Sequence, residues 1–302
     1  MSTVVRTPSR GDAAAIAGVC GASSRALYGT DDVDERAVRD WFALSDLAMF
    51  LAETDGRAVG YVDIRDDDHL RFPVDLRVAP EAWGTGVAEV LLAAAVAWAR
   101  ERAVDGAVLR VFTAERDEEV QRVLAASGYR PIRHSFVMEI ELGDRLEAPV
   151  WSDGITVRTF DPDRDEQAVY ECHQESFADH WGFHGQPIER WREHNVDSER
   201  FDPELWWLAE EDGELAGICL NQWHWSGDPA FGWIGDLGVR RAWRRRGLGL
   251  ALLRHSFADF AARGATRVGL GVDAENTTGA VRLYERAGMH PVRRNDTFEM
   301  AL

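Results

Sequence analysis

The chain has 302 residues, of which 45% are hydrophobic and 28% charged, and its formal net charge is −18 at pH 7. This composition is typical of a globular protein, whereas so acidic a chain is a poor candidate for binding nucleic acid. The longest apolar run, at 90–99, is shorter than the roughly twenty residues that a membrane helix needs. No signal-like segment opens the chain, so we expect a cytoplasmic protein without a membrane or nucleic-acid partner.

In the first half, the predicted elements lead from a hairpin to a glycine-containing turn and a helix. Asp55-Gly56 is a dipeptide that favours a tight turn between two strands. Leu76-Arg77-Val78 belongs to a later strand, and the turn at 83–88 (Trp-Gly-Thr-Gly-Val-Ala) precedes a long apolar helix. A further helix ends at Gly128.

The second half repeats this order, with Asp212-Gly213 as its hairpin turn. An apolar stripe at helical spacing supports the helix that follows its glycine-containing turn. The predicted elements are a strand at 155–160, helices at 166–177 and 187–194, strands at 205–209, 215–223 and 232–239, a helix at 248–263, a strand at 268–272, a helix at 277–287 and a strand at 298–302.

The two halves match at an offset of about 160 residues, which predicts a tandem duplication. Leu76 matches Leu237, and Gly128 matches Gly288, in the same order along the chain. Residues that break regular structure fill 142–154. We therefore expect two domains of ordinary size, at 1–145 and 151–302, both of the mixed α/β class.

The loop Arg244-Arg245-Arg246-Gly247-Leu248-Gly249 joins a strand ending at Val239 to a helix. A helix N-terminus offers free backbone N–H groups and the positive end of the helix dipole, so it favours phosphate. Glycine lets a phosphate approach the backbone, and arginine adds forked donors. Because the motifs of P-loops and dinucleotide domains are absent from the sequence, the loop predicts either another phosphate cradle or a solvated arginine surface.

Further motifs follow the loop: a helix, a strand, Asn276, and a helix with Leu283-Tyr284-Glu285 and Gly288. With Arg-x-x-Gly-x-Gly after a strand ending Leu-x-Val, this pattern resembles the GNAT superfamily of acyl-CoA N-acyltransferases. The resemblance covers most of 151–302, and 1–145 is similar to a second, degenerate copy. It implies two tandem domains, each with a mostly antiparallel central sheet flanked by helices. It also implies that the C-terminal domain transfers an acetyl group from acetyl-CoA to a primary amine of a small molecule.

The resemblance implies roles for individual residues of the second half. The strand end would hold the pantetheine arm of acetyl-CoA, the loop would hold its pyrophosphate, and Asn276 would contact it near the thioester. Tyr284 is the implied general acid for the departing thiolate, since a phenol of pKa about 10 can donate a proton at close range. The residues implied in binding the donor are Leu237, Gly238, Val239, Arg244, Arg245, Arg246, Gly247, Leu248, Gly249 and Asn276.

The general base is left open between Asp236 and a water molecule. The alternation of side chains along a strand predicts that Asp236 shares a face with Ile234 and Gly238. A tandem pair of this length is similar to the actinobacterial mycothiol synthases, in which a glutamate on this strand is the candidate base. That position falls on Trp233 here. Acetylation of the cysteinyl amine of the mycothiol precursor is therefore an alternative function, and a non-catalytic acyl-CoA-binding sensor or scaffold is another.

Acidic and aromatic residues early in the second half predict the acceptor pocket. Carboxylates can hold an ammonium group, and tryptophans can pack on it or on an apolar body. His180 and His184 lie in the same region, but they lack a third ligand at metal spacing, so we expect no metal. Cys20, Cys172 and Cys219 lie far apart and predict buried thiols. The candidate substrate residues are Glu175, Asp179, Trp181, Trp223 and Trp225.

The first half keeps the glycine-containing turn but loses the side chains that would do chemistry. Trp83 occupies the position of Arg244, and Leu124 occupies the position of Tyr284. Because leucine cannot donate a proton, we expect this half to be non-catalytic. The sequence leaves the acceptor amine, the acyl chain length and the choice between monomer and homodimer open. A candidate second cofactor site is predicted at Leu76, Val78, Gly84, Gly86 and Ala88.

Overall fold

The protein is described by a computed structural model that covers residues 3–143 and 145–302. The chain divides into two compact units. Unit 1 contains the chain up to Ser135 together with Arg293–Leu302, and unit 2 contains Phe136–Val292. Each unit has a mostly antiparallel sheet flanked by helices, which confirms the predicted fold class of two tandem mixed α/β domains.

In unit 1, strands β1 to β5 pair in chain order, and only β4 and β5 are parallel among them. Adjacent residues of β3 enter two different apolar clusters: Tyr61 packs with Ile16 of α1, and Val62 packs with Leu91 of α3. Helices therefore cover both faces of the sheet. The elements are β1 (Thr3–Arg6), α1 (Ala13–Tyr28), α2 (Glu35–Trp41), β2 (Leu47–Thr54), β3 (Arg57–Arg65), β4 (Arg71–Val78), α3 (Val87–Arg100), β5 (Val108–Ala114), α4 (Glu118–Ala126) and the start of β6 (Arg130–Glu141).

Unit 2 contains the end of β6 and the elements that follow it. They are β7 (Ile155–Thr159), α5 (Glu166–Phe177), α6 (Ile188–Asn195), β8 (Trp206–Glu211), β9 (Glu214–Gln222), β10 (Phe231–Val239), α7 (Leu248–Ala262), β11 (Arg267–Asp273), α8 (Ala280–Arg286) and the start of β12 (His290–Ala301). Its strand order is β6-β11-β10-β9-β8-β7, in which β10 and β11 are parallel.

The last strands of the two repeats are exchanged. Residues 295–301 of β12 pair antiparallel with 108–114 of β5, and Phe298 packs in the core of unit 1. Met138 of β6 packs in the core of unit 2, where the amide of Leu142 donates to the carbonyl of Thr266 at 2.7 Å. The units therefore differ from the predicted ranges 1–145 and 151–302. The strand predicted at 298–302 is longer in the structure, where β12 spans His290–Ala301. Its last residues belong to unit 1 because their pairing partner, β5, lies in the first repeat.

The two Asp-Gly hairpin turns lie where the sequence predicts them. Asp55 and Gly56 have φ values of 52° and 76°, and Asp212 and Gly213 have values of 52° and 83°. Positive φ at both central residues is the geometry of a type I′ turn, whose twist matches that of paired strands. These turns set the registers of the β2–β3 and β8–β9 hairpins.

Strand β10 separates from β11 before it separates from β9. It pairs with β11 only as far as Ile234, but it pairs with β9 as far as Val239. The pairing with β9 skips Gly235, so a β-bulge lies there. From Gly235 to Val239, one edge of β10 has no strand partner among the described residues, and this free edge borders a cavity.

Candidate active site

A cavity of about 670 Å³ opens along the free edge of β10. It lies between the ends of β10 and β11, the N-terminus of α7 and helix α8. Of the predicted donor-binding residues, Gly238 and Arg246 are outside its lining. The predicted residues that line the cavity are Leu237, Val239, Arg244, Arg245, Gly247, Leu248, Gly249, Asn276 and Tyr284.

The N-terminus of α7 faces this cavity. Gly247, directly before the helix, has a φ of 82°, a left-handed conformation that glycine adopts without strain. The amides of Leu248, Gly249 and Leu250 belong to the first turn, for which the helix itself supplies no acceptor. No side chain in the described part of the chain caps this end. These amides are therefore available to an anion such as phosphate.

Arg244 ties the loop to the strand before it and to the end of α5. Its Nε donates to the carbonyl oxygen of Val239 at 3.0 Å. Its terminal nitrogens bind the carboxylate of Asp179 at 3.0 Å and the carbonyl oxygen of Ser176 at 3.1 Å. The guanidinium group is thus used within the protein, where it positions the loop.

Arg245 is the loop arginine whose guanidinium group remains available. Arg246 pairs with Glu211 and lies outside the cavity lining. Arg245 lines the cavity, and it makes no ion pair or side-chain hydrogen bond with the residues that the structure describes. Its φ of 65° is uncommon for a residue other than glycine. A cation without a protein partner beside uncapped amides suits a pyrophosphate group.

Gly238 lies on the other face of β10, against α5. A Cβ atom at this position would come within 3.0 Å of the Cβ atom of Ser176. Such a distance is tighter than ordinary packing, so glycine allows α5 to approach the strand closely. Gly238 therefore lies at the contact between β10 and α5 and does not line the cavity.

Tyr284 lies in the wall of the cavity on α8. Tyr284 is 9% exposed and packs in the core of unit 2. Its hydroxyl group makes no hydrogen bond with the described protein groups. Burial, followed by the nearby Cys219 and Asp236, raises the pKa of Tyr284 well above its ordinary value. The phenol therefore stays protonated at neutral pH and can act as a proton donor.

Asn276 lines the cavity in the turn that leads to α8. Its side-chain oxygen accepts a hydrogen bond from the backbone amide of Thr278 at 2.7 Å. The backbone amide of Asn276 donates to the carbonyl oxygen of Asp273 at 3.1 Å. The carboxylate of Asp273 accepts the amide of Glu275 at 3.1 Å. These side chains fix the turn by the contacts typical of Asn and Asp.

The position of Asp236 corrects one expectation from the sequence. Because the pairing skips Gly235, Ile234 lies opposite Asn221 of β9 whereas Asp236 lies opposite Leu220. Consecutive residues of a strand point to opposite faces. The expectation that Asp236 and Ile234 share a face is therefore wrong, since strand alternation does not hold across a bulge.

Asp236 faces α5 and a narrow polar cleft. Its Oδ1 lies 3.7 Å from Nε2 of His173. Gly235 lines both this cleft and the large cavity, so the bulge separates the two. Oε1 of Gln222, also in the cleft lining, is buried without a hydrogen-bond partner among the described groups. The other polar residues of the cleft are Asn195, Ser198 and Arg200.

The two carboxylates predicted to hold the acceptor bind arginines instead. Glu175 accepts hydrogen bonds from Nε of Arg240 at 2.7 Å and from the amide of Arg241 at 3.0 Å. Asp179 binds Arg244 and Arg241, and these hydrogen bonds hold the pKa of Asp179 below its ordinary value. Neither carboxylate lines the cavity. Both hold the segment before α7 against α5.

The three tryptophans predicted for the acceptor pocket lie outside the linings of the cavity and the cleft. Trp181 is 39% exposed. Trp223 stacks on Phe260 with ring centroids 5.5 Å apart, and Trp225 stacks on Trp233 with centroids 4.4 Å apart. Trp223 and Trp225 are therefore engaged in packing.

Two histidines that the sequence did not assign to catalysis lie at the site. His180 lines the large cavity, and His173 on α5 faces Asp236. The sequence signal that could have indicated them was their position in the chain, because both belong to the helix and turn that cover the free edge of β10. Without knowledge of how α5 packs on β10, neither could be chosen over the other histidines nearby.

The matching turn of unit 1 is occupied by a protein group. Gly84 and Gly86 have positive φ values, 71° and 88°. The amide of Gly84 donates to Oε1 of Glu119 at 2.8 Å, so a carboxylate of the chain itself lies on this turn. The remaining positions of the candidate second cofactor site are all buried: Leu76, Val78 and Ala88.

The cysteines are buried and unpaired by disulfides. Burial raises the pKa of Cys172 and of Cys219 to about 12, so these thiols are poor nucleophiles at neutral pH. The described residues contain no group of three or more His, Cys, Asp or Glu that could hold a metal ion. In the same part of the chain, the helices are too short or too polar to span a membrane.

Comparison with known sequences finds the same family in both halves. The profile of the acetyltransferase (GNAT) family matches residues 21–129 and 166–289. The mycothiol acetyltransferase of Streptomyces griseus is 32% identical over 243 residues, which cover 79% of this chain and 75% of that protein. The mycothiol acetyltransferase of Catenulispora acidiphila is 28% identical over 305 residues and 94% of each chain.

Comparison with solved structures finds relatives over nearly the whole length. A GCN5-related N-acetyltransferase from Sphaerobacter thermophilus matches with a TM-score of 0.81 and 36% identity, over 99% of this chain and 95% of that one. A tandem GNAT protein from the clavulanic acid biosynthesis pathway matches with a TM-score of 0.78 over 99% and 98% of the two chains. At 17% identity, this second likeness concerns the fold.

Proposed function

Because this chain belongs to the GNAT family of acetyltransferases, we propose that unit 2 transfers an acetyl group from acetyl-CoA to a primary amine of a small molecule. One observation carries this proposal. The free edge of β10, the uncapped N-terminus of α7 and the phenol of Tyr284 meet at a single cavity.

The cavity offers the groups that an acyl-CoA donor needs. The backbone of 235–239 can bind the amide groups of a pantetheine arm. The first-turn amides of α7 and the guanidinium group of Arg245 can bind the pyrophosphate. The volume of about 670 Å³ falls in the range of roughly 300–1,000 Å³ that is usual for small-molecule and cofactor sites. These residues thus fit the donor in shape and in charge.

Tyr284 supplies the proton for the thiolate that leaves the donor. Its raised pKa keeps the phenol neutral, so a proton is available throughout the neutral range. Loss of this proton with rising pH is expected only above the ordinary tyrosine value of about 10. The buried thiols Cys172 and Cys219 are not required, because an amine attacks the thioester directly.

We place the chemistry in unit 2 alone. At the position that matches Tyr284, unit 1 has Leu124, which is fully buried and has no proton to donate. The turn of unit 1 already holds the carboxylate of Glu119 on the amide of Gly84. Unit 1 is therefore non-catalytic in this proposal.

The test is acetylation of an amine panel by the purified chain. The panel contains glucosamine, tyramine, spermidine, S-methylcysteine and the cysteinyl precursor of mycothiol, and products are followed by mass spectrometry because the precursor carries its own thiol. Tyr284→Phe keeps the ring but removes the proton, so kcat is expected to fall about 100-fold, whereas the Kd for acetyl-CoA is unchanged.

The matched control is Tyr129→Phe. Tyr129 is a buried tyrosine of unit 1 whose hydroxyl has no hydrogen-bond partner among the described groups. This variant is expected to retain wild-type activity. Absence of any acetylated amine would refute the proposed function, and an unchanged kcat in Tyr284→Phe would refute the role of the phenol.

A second candidate acceptor is the cysteinyl amine of the mycothiol precursor. The names of the relatives from Streptomyces griseus and Catenulispora acidiphila favour it. Trp233, which stacks on Trp225, occupies the position at which a glutamate is expected in mycothiol synthases. Thiol analysis of a strain that lacks the gene separates the two candidates, because a normal mycothiol level eliminates this acceptor.

A further inference from the structure

We propose that His180 is the base that accepts a proton from the ammonium group of the acceptor in unit 2. This inference rests on the proposed function and names a residue for a step that the sequence left open. A primary amine is mostly protonated at neutral pH, and it must lose a proton before its lone pair can attack a thioester. A proton acceptor near the thioester end of the cavity is therefore required.

His180 is positioned by packing and leaves its ring nitrogens available. Its amide donates to the carbonyl of Phe177 at 2.8 Å, and its ring lies against that of Phe177 with centroids 4.5 Å apart. Neither ring nitrogen bonds to a protein group in the described chain. His180, Tyr284 and Gly235 line the same cavity. A proton acceptor and a proton donor thus border one ligand site.

The carboxylates near the cavity are less suited to this step. Asp273 lines the cavity, but its carboxylate accepts the amide of Glu275 and forms the turn before α8. Asp236 lies in the narrow cleft, where it faces His173. His180 therefore lines the cavity with a proton-accepting ring nitrogen that makes no hydrogen bond to the described protein groups.

The charged groups around His180 favour a neutral imidazole that can become protonated. Burial is the largest effect and lowers the pKa of His180 below its ordinary value. Asp273 on β11 and Asp236 on β10 raise it. Arg244 in the loop and His173 on α5 lower it further. The ring is thus neutral at pH 7, and the two carboxylates stabilise the imidazolium once it forms.

The transfer conserves protons and electrons with these two side chains. A ring nitrogen of His180 takes one proton from R–NH3+, which leaves R–NH2 and an imidazolium. The nitrogen lone pair forms the C–N bond to the thioester carbonyl carbon, and the C–S bond breaks with its electron pair on sulfur. Tyr284 protonates the sulfur and recovers the second proton that the acylated nitrogen sheds. The imidazolium then releases its proton to water.

The first measurement uses the wild-type chain alone. The value of kcat/KM is recorded against pH with two amines from the active panel that differ in pKa. A limb due to His180 lies below pH 6.5 or so, the ordinary histidine value, and it stays in place when the amine is exchanged. An acidic limb that moves with the pKa of the amine would overturn the assignment.

The second measurement uses variants. His180→Gln is expected to lower kcat about 100-fold and to leave the Kd for acetyl-CoA unchanged. It should also abolish the acidic limb of kcat/KM that does not move with the amine. Added imidazole should restore part of the rate of His180→Ala. The control is His184→Gln, since His184 lies outside the cavity lining with Nδ1 3.4 Å from the carbonyl of Gly182.

The outcomes separate this inference from the proposed function. Wild-type kcat and an unchanged acidic limb in His180→Gln would overturn the role of His180 and leave the acetyltransferase proposal standing. Failure of the wild-type chain to acetylate any amine of the panel would overturn both.

Discussion

Trp83 makes in unit 1 the hydrogen bond that Arg244 makes in unit 2. Nε1 of Trp83 donates to the carbonyl oxygen of Val78 at 3.1 Å, and Nε of Arg244 donates to that of Val239 at 3.0 Å. Each holds the end of the strand that precedes the glycine-containing turn. A neutral indole is sufficient for this contact. The positive charge that a pyrophosphate requires is therefore expected from a different arginine of the loop.

Substitution of Arg245 tests this assignment. Arg245→Ala is expected to raise the Kd for acetyl-CoA about fivefold, because an exposed charge contact contributes on the order of 1 kcal/mol. The difference from the wild type should shrink as salt is added, since exposed charges are screened. Titration calorimetry at two salt concentrations measures both effects.

Arg263→Ala is the control for charge removal. Arg263 lies at the opposite end of α7 and pairs with Asp259, so its loss should leave the Kd for acetyl-CoA unchanged. Equal Kd values for Arg245→Ala and the wild type at low salt would contradict a role for Arg245 in donor binding.

The carboxylate of Glu119 predicts the number of donor molecules that bind. It accepts the amide of Gly84 and is held by Arg122, so it occupies the turn where an anion would bind in unit 1. Calorimetry of the wild-type chain is expected to show one acetyl-CoA per chain. A second, weaker binding event should appear only in Glu119→Ala. Two equivalents bound to the wild type would show that the turn of unit 1 is open.

Asp63 predicts that the stability of unit 1 depends on pH. Asp63 and Asp75 lie opposite each other on β3 and β4. Burial and then the carboxylate of Asp75 raise the pKa of Asp63 to about 7, whereas an unfolded aspartate titrates near 3.9 or so. Between these values the folded state binds more protons than the unfolded state. The free energy of unfolding should therefore fall as the pH rises through this window and level off above it.

Urea unfolding of the wild type and Asp63→Asn at several pH values measures this effect. Asparagine cannot ionise, and its oxygen can keep the hydrogen bond that Tyr61 donates to Asp63 at 3.1 Å. The variant should lose the part of this fall in stability that Asp63 contributes, and it should be more stable than the wild type above pH 7. Asp105→Asn, at an exposed position, is the control. Identical pH profiles for Asp63→Asn and the wild type would refute the prediction.

Features that depend on neighbouring residues could be predicted from the sequence. The Asp212-Gly213 turn needs two residues that tolerate positive φ, and both are in the dipeptide. The start of α7 needs a left-handed residue before the helix, and Gly247 supplies it. Leu237 and Val239 are two residues apart on β10 and line the same cavity, as the alternation of side chains along a strand requires. Local propensity is sufficient in each case.

Features that depend on distant contacts could not be predicted. Asp179 was expected to hold the acceptor because a carboxylate near aromatic residues suits an ammonium group, yet it binds Arg244, which lies 65 residues further along the chain. The bulge at Gly235 turns the side chain of Asp236 to the opposite face of the sheet, and no periodic pattern in the sequence predicts this bulge. His180 lines the cavity because of the way α5 packs on the sheet, which the sequence does not reveal.

The exchange of strands also sets the order in which the protein can be completed during synthesis. Residues 293–302 belong to unit 1, and 295–301 among them pair with β5. The ribosome makes all of unit 2 before it makes this strand. Until then, the nascent β5 has an unpaired edge, which is a template for aggregation with other chains. The edge of β5 is therefore open to aggregation until the strand that follows unit 2 in the sequence has been synthesised.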